Sequence, residues 1–339
     1  MTCRATSVWA WICVAIGIAA LAGCGLESDQ IVLRLAETHP RDYPTTEANY
    51  EFARLVEERS GGRIRIEVYH SAQLGEEREV IEQVQFGAID LTRVSISPLS
   101  SFVPKLDALQ MPFLYGGAEP MWAVLRSNIG REMLETLEQA DFVGLNYYDS
   151  GARSFYNTRG EFRHPDDMAG LQIRVQESRL MMDLVQALGA VATPMPFGEV
   201  YSALQTGVID GAENNWPSYY STSHYEVAPY FSVNEHSRVP EVTIMSRLAM
   251  DRLAEEDQQL IRQAAWDAMD YQIERWKAFE AEAEQRIRDA GNTITEREAI
   301  DVDAFRERVQ PLYDRLPEDQ RNLVERIRDR AASLPADAS

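Results

Sequence analysis

Three polar residues stand where strands should end, and their types suit holding an anion better than converting one. Arg174 sits near the close of the strand-like run LQIRV at 171–175. Arg153 follows a separate strand, in YYDSGAR at 147–153, and Asn214 lies just beyond Ile209-Asp210 in GAENNW at 211–216. A guanidinium matches a carboxylate through two parallel hydrogen bonds, an arrangement that counts most in a dry cleft. An asparagine both donates and accepts, as neighbouring hydroxyls require. One alternative stays open at this level, because each arginine can equally be spent on a nearby acid of so acidic a chain.

The parts of a catalytic centre are absent from the sequence pattern. The five histidines, His39, His70, His164, His224 and His236, form no HExxH pair. Asp149-Ser150-Gly151 is not a GxSxG elbow, and no P-loop or GxGxxG follows a strand. Adjacent acids such as Glu76-Glu77 do glycosidase work only at the right separation, and here they read first as solvated surface. The reading is a binding protein, not an enzyme, with no cofactor and no metal.

Alternating elements must position these residues. Strand patterns at 31–36, 64–69, 89–94, 142–148 and 171–175 alternate with helical ones at 45–59, 76–86 and 121–140, which predicts α/β layers with mainly parallel sheets. EVIEQVQFGAID at 79–90 aligns without gaps with EVYSALQTGVID at 199–210, and Glu, Val, Gln, Gly, Ile and Asp recur in place. Each copy is an amphipathic helix ended by a glycine and followed by a strand. Two related lobes are therefore expected, with a cleft where their strand ends meet. From 250 to 290 nothing stops a helix, and its apolar residues hold no single face, as fits a helix running across both lobes. Further helix is expected over 303–330, interrupted near Pro311 and Pro317. The division expected is 1–24 as a signal, 25–148 plus about 237–265 as the first lobe, and 149–236 plus about 280–332 as the second.

Composition sets the outer bounds. Lys+Arg 33 against Asp+Glu 54 gives a net charge of −21, which argues against nucleic acid or an anionic membrane surface as partner. A single arginine, Arg4, precedes an apolar run at 8–20 that ends in Leu21-Ala22-Gly23-Cys24, the build of a secretory signal too short to be a spanning helix. Cys3 and Cys13 fall inside that segment, so the exported chain keeps Cys24 alone and forms no internal disulfide. Its stability rests on burial, and about 315 residues suffice for two domains.

The longest motif adds a resemblance. AGLQIRVQ at 169–176 and ATPMPFGEVYSALQTGVIDGAEN at 192–214 resemble the signature of TRAP-transporter solute-binding proteins, the extracytoplasmic receptors of secondary transporters, and the likeness runs from Leu33 to about Arg330. It implies the periplasmic-binding-protein-like fold, two α/β lobes with an inter-lobe cleft and a long helix spanning both. It also implies that Arg174 binds a carboxylate, that Arg153 is a second arginine of the site, that Asn214 closes it, and that Phe197 lies against the solute. THPRDYPT at 38–45, the stretch 147–158, NNWPSY at 214–219 and HSRVPEV at 236–242 resemble members that bind hexuronates, in which His39, Glu77, Arg93 and Glu241 contact hydroxyls. The implied function is capture of a sugar monocarboxylate, such as D-glucuronate or D-galacturonate, for TRAP permease subunits in the inner membrane. An aldonate or dicarboxylate receptor, and a periplasmic enzyme acting on acidic sugars, are the alternatives. LAGC at 21–24 is similar to a lipobox, so Cys24 is expected to carry a lipid anchor in the periplasm, where many members are free.

Overall fold

A computed structural model describes residues 30–333; the signal segment, the Cys24 anchor and the last residues of the tail lie outside them. The strands are β1 Ile31–Ala36, β2 Ile64–Tyr69, β3 Leu91–Ser95, β4 Phe142–Tyr148, β5 Ala152–Asn157, β6 Gln172–Val175, β7 Val191–Pro194, β8 Gly211–Asn214, β9 Tyr230–Arg238, β10 Glu241–Ser246 and β11 Thr293–Thr295. They form two sheets, in the orders β2-β1-β3-β10-β4 and β11-β9-β5-β8-β6-β7. The sheets are mixed, not mainly parallel as the sequence suggested. β10 runs antiparallel to both its neighbours in the first sheet, and β5 does so in the second. Each antiparallel strand is the one made just after the chain crosses from the other sheet, at 149–151 and 239–240, so pattern alone gave no sign of its direction.

The main helices are α1 Pro44–Arg59, α2 Glu77–Gln85, α3 Ala118–Leu125, α4 Asn128–Glu135, α5 Arg179–Ala187, α6 Val200–Thr206, α7 Trp216–Ser221, α8 Glu255–Asp289, α9 Val302–Asp314 and α10 Glu318–Ala332. Local chemistry sets their ends. Pro44 opens α1, where a missing N–H costs nothing, and Glu76 with Glu79 makes a capping box on α2. The single helix expected over 121–140 is broken, because the Ser127 side chain accepts the Ile129 N–H and starts α4 afresh. Pro311 does not interrupt its helix. α9 runs through it to Asp314, with Val309 and Leu312 buried on either side of the proline, and the break comes at Pro317 instead.

The repeat is visible in the backbone. α2 and α6 each run into a left-handed glycine, Gly87 at φ 72° and Gly207 at φ 74°, before β3 and β8. Asp90 accepts the backbone N–H of Arg34 on β1, and Asp210 accepts that of Gln172 on β6, both at 2.9 Å. The strand runs β2-β1-β3-β10-β4 and β7-β6-β8-β5-β9 therefore correspond element by element.

α8 packs on α1 and β4 and, further along, on α7, so it spans the two sheets as the sequence indicated. α9 packs on α5 beside the second sheet. α10, expected with the second lobe, returns to the first: it lies on α3, Arg326 pairs with Glu132 and Arg330 donates to the Ala123 carbonyl. Its Leu323, Val324 and Ile327 face supplies the apolar contact that holds it there.

Candidate functional site

The two sheets present strand ends to each other, and a cavity of about 20 Å³ remains between them. It is lined by Thr38, His39, Glu77, Arg153, Arg174, Gln176, Phe197, Asn214, Asn215, Ser218 and Glu241. Seven of the eight side chains singled out in the sequence line it; Arg93 does not. Contacts across the gap close it: Tyr43 Oη and Ser218 Oγ stand 2.9 Å apart, and the Ser101 hydroxyl donates to the Glu177 carbonyl at 3.4 Å.

On the second-lobe wall, Arg174 leaves β6 with its side chain 3% exposed and gives Nε and Nη2 to the carbonyl of Met195, at 3.0 and 2.7 Å. No carboxylate among the described residues comes within 4.0 Å of it, and burial pulls its pKa below the usual arginine value. Its guanidinium carbon stands 5.8 Å from the ring centre of Phe197, whose edge also meets His39 at 5.3 Å. Arg153 behaves differently. It holds Glu213 through Nε and Nη2, at 2.5 and 2.8 Å, and gives Nη1 to Asn214 Oδ1 at 2.9 Å. Burial drives the Glu213 carboxyl up, but the Arg153 charge and nearby His236 outweigh it and hold the pKa at about 2. Asn215 caps α7 by accepting the Ser218 N–H and donates to the Ser150 carbonyl, tying this wall to the crossing segment.

On the first-lobe wall, Arg93 lies on β3 behind the cavity, wholly buried. It pairs with Glu37, Glu77 and Glu241, and donates to Thr38 Oγ1 at 2.8 Å. The expectation that Arg93 meets solute hydroxyls is corrected by this geometry: its donors are taken by three acids and Thr38, and it positions Glu77 and Glu241, which do face the cavity. Burial raises the Glu241 pKa above the usual carboxylate range; Arg93 opposes the rise and Glu77 adds to it. His39 stacks on Tyr43 at 3.8 Å, and burial, then the charges of Arg93 and Arg153, hold its pKa well below normal, so the imidazole is neutral. Its Nδ1 has no hydrogen-bond partner among the described residues.

The two ion pairs occupy corresponding places. In the first sheet Thr243 pairs with Arg93 and Val242 with Val94; in the second Phe155 pairs with Glu213 and Ser154 with Asn214. The residue preceding each pair on the antiparallel strand is Glu241 in one case and Arg153 in the other. Arg93–Glu241 and Glu213–Arg153 are thus one buried pair with its signs exchanged.

Thr38, Gln176, Asn215 and Ser218 also line the cavity and were not singled out. Asn215-Trp216-Pro217 reads as a helix start, which it is, so its sequence signal is that of a cap. A wider cleft of about 450 Å³ opens elsewhere, between Glu138, Arg262 and Trp266, but it is lined by α4 and its flanking turns, β4 and α8, with no residue of the second sheet.

Residues 35–320 match the family described as bacterial extracellular solute-binding protein, family 7. The chain belongs to that family. It is 39% identical over 291 residues to a solute-binding protein of Chromohalobacter salexigens, covering 86% of each chain. A TRAP periplasmic solute-binding protein of Bradyrhizobium sp., solved in complex with α/β-D-galacturonate, superposes with a TM-score of 0.85 at 41% identity, over 88% of this chain and 99% of that one. Another from Chromohalobacter salexigens, with bound D-glucuronate, does so at 0.85 and 38% over the same shares. The molecule is a TRAP solute-binding protein with the two-lobed fold of that type, an extracytoplasmic receptor class. Among the described residues no helix is long and apolar enough to cross a membrane, and no group of side chains is arranged to hold a metal.

Proposed function

We propose that this TRAP solute-binding protein captures a hexuronate of the D-galacturonate or D-glucuronate kind, by closing its lobes over it, and delivers it to TRAP permease subunits in the inner membrane. The observation that carries the reading is Arg174, a buried cation on the cavity wall whose hydrogen bonds, among the described residues, go to a carbonyl and to no acid. Arg174 takes the solute carboxylate, with Arg153 and Asn214 beside it. Thr38, His39, Glu77 and Glu241 meet hydroxyls from the opposite wall, and Phe197 lies against the sugar. Relatives bound to galacturonate and glucuronate support this choice of solute. No covalent chemistry is assigned to these groups. A sugar is larger than the present cavity, so entry requires the lobes to part. The lobes proposed are 25–148 with about 237–265, and 149–236 with the segment after about 280, less α10. Cys24 is proposed to anchor the receptor to a membrane in the periplasm; labelling with a radioactive fatty acid should follow Cys24 and vanish in Cys24→Ala.

Micromolar affinity corresponds to about 8 kcal/mol. Solute at a thousandfold excess over Kd stabilises the folded form by about 4 kcal/mol. A thermal-shift screen of hexuronates, aldonates and dicarboxylates, followed by calorimetry, should therefore single out a hexuronate. Absence of any shift with millimolar galacturonate and glucuronate, or steady turnover of either, sinks the reading.

A further inference from the structure

The sign-exchanged ion pair gives the cavity two unlike ends. The second lobe brings two guanidinia, Arg153 and Arg174, over one carboxylate, Glu213. The first lobe brings three carboxylates, Glu37, Glu77 and Glu241, onto one guanidinium, Arg93. Of those three, Glu37 is buried behind and already accepts from the His39 N–H and from Asn49, while Glu77 and Glu241 line the cavity. His39, 7% exposed and with no partner for Nδ1 among the described residues, lines the same end. An end built this way accepts hydrogen bonds from hydroxyls and meets an added negative charge with like charge in a dry site, an arrangement by which proteins turn a rival ligand away.

We propose that Glu77 and Glu241, fixed on Arg93, form a charge filter that rejects solutes carrying a second carboxylate, and so set the receptor's choice of sugar monoacids over sugar diacids. The inference rests on the hexuronate reading for which solute enters, but not for its sign. Arg174 draws one carboxylate to the second lobe, and any solute group that points to the first-lobe wall faces the two acids. A hydroxyl there donates to them. A carboxylate there is repelled, and Arg93 cannot relieve it because that guanidinium is already shared among its three acids.

The test compares D-galacturonate, D-galactonate and D-galactarate by calorimetry on the whole protein at pH 8, above the value of about 7 to which burial raises Glu241. Galactonate and galactarate share an open chain and differ at one end, hydroxymethyl against carboxylate. Galactarate should bind wild type at least about a hundredfold more weakly than galacturonate, as juxtaposed like charges imply. The double variant Glu77→Gln, Glu241→Gln should gain tenfold or more for galactarate and show no such gain for galactonate. If the double variant does not fold, Glu241→Gln alone, which leaves Glu77 on Arg93 and on the Ser95 N–H, should show a smaller gain of the same kind. Galactarate bound by wild type within tenfold of galacturonate overturns the filter. So does continued rejection by a folded double variant, or an equal gain for galactonate, which would signal a widened cavity. Failure of wild type to bind galacturonate removes the hexuronate reading alone, since the filter is read on the diacid.

Discussion

The Met195 carbonyl takes two hydrogen bonds from Arg174, one from Nε and one from Nη2. A guanidinium has five N–H donors, so three find no acceptor among the described residues. The carbonyl fixes the orientation of the group without cancelling its charge, which an acid in the same place would do. Arg153, two strands further into the sheet, has been neutralised by Glu213 in just that way.

Arg174→Ala is expected to weaken solute binding by about two orders of magnitude or more, since stripping the partner from a buried charge costs about 3–5 kcal/mol. Arg174→Lys should be nearly as poor, because an ammonium cannot offer the planar fork. Calorimetry on both variants decides it, and tight binding by Arg174→Ala would remove Arg174 from the site.

Arg153 and Glu213 should act mainly on folding. Arg153→Ala leaves Glu213 buried without its cation, and a loss of about 3–5 kcal/mol in urea unfolding is expected. A change of less than about 1 kcal/mol would show that the pair adds little.

Glu280 gives a pH signature. It projects from α8 against the crossing segment, where Gly151 holds φ 62° and a Cβ would strike the Glu280 carboxyl. Burial, then the charge of Asp149, push its pKa from 4.5 to about 7, with Arg238 opposing and Glu235 adding a little. Between those values the folded protein holds a proton that the unfolded chain has lost, so stability falls as pH rises from about 4.5 to 7 and stays low above. Glu280→Gln escapes this loss. It should raise the melting point at pH 8, by a free energy of at most about 3 kcal/mol, and confer no advantage near pH 4.5. An equal gain at both pH values would contradict the assignment.

Tyr43 and Ser218 report on closure. Their hydroxyl contact joins the lobes. Tyr43→Phe should weaken solute binding about two- to twelvefold, chiefly through faster release, while leaving the melting point of the solute-free protein nearly unchanged. Stopped-flow release rates provide the check.

Local signals carried much of the fold. The strands at 31–36, 64–69 and 142–148 fall where alternation placed them, and α8 begins and ends within a few residues of the expected span. What escaped was non-local. The direction of β5 and β10 depends on where the chain goes after crossing. The seat of α10 depends on an apolar patch made by α3, far away in sequence. In the site, Arg174 and Asn214 were legible because a long motif surrounds them. Arg93 was legible only as a misplaced charge, since its partners Glu37, Glu77 and Glu241 come from three separate stretches. Even the exchange of signs between the lobes was half written in the repeat, which stops at Asp90 and Asp210, three residues short of Arg93 and Glu213.

The crossing segments and α8 meet at one place. Ser150 donates to the Val239 carbonyl, Gln272 exchanges two hydrogen bonds with Asp149, and Trp276 lies against Gly151. Three leaves pinned together along one edge let a door swing but resist twisting it. In the proposed opening, each swing brings the same acids back opposite the same arginines, and fidelity of alignment is maintained by the pins at the edge, with no help needed from the cargo.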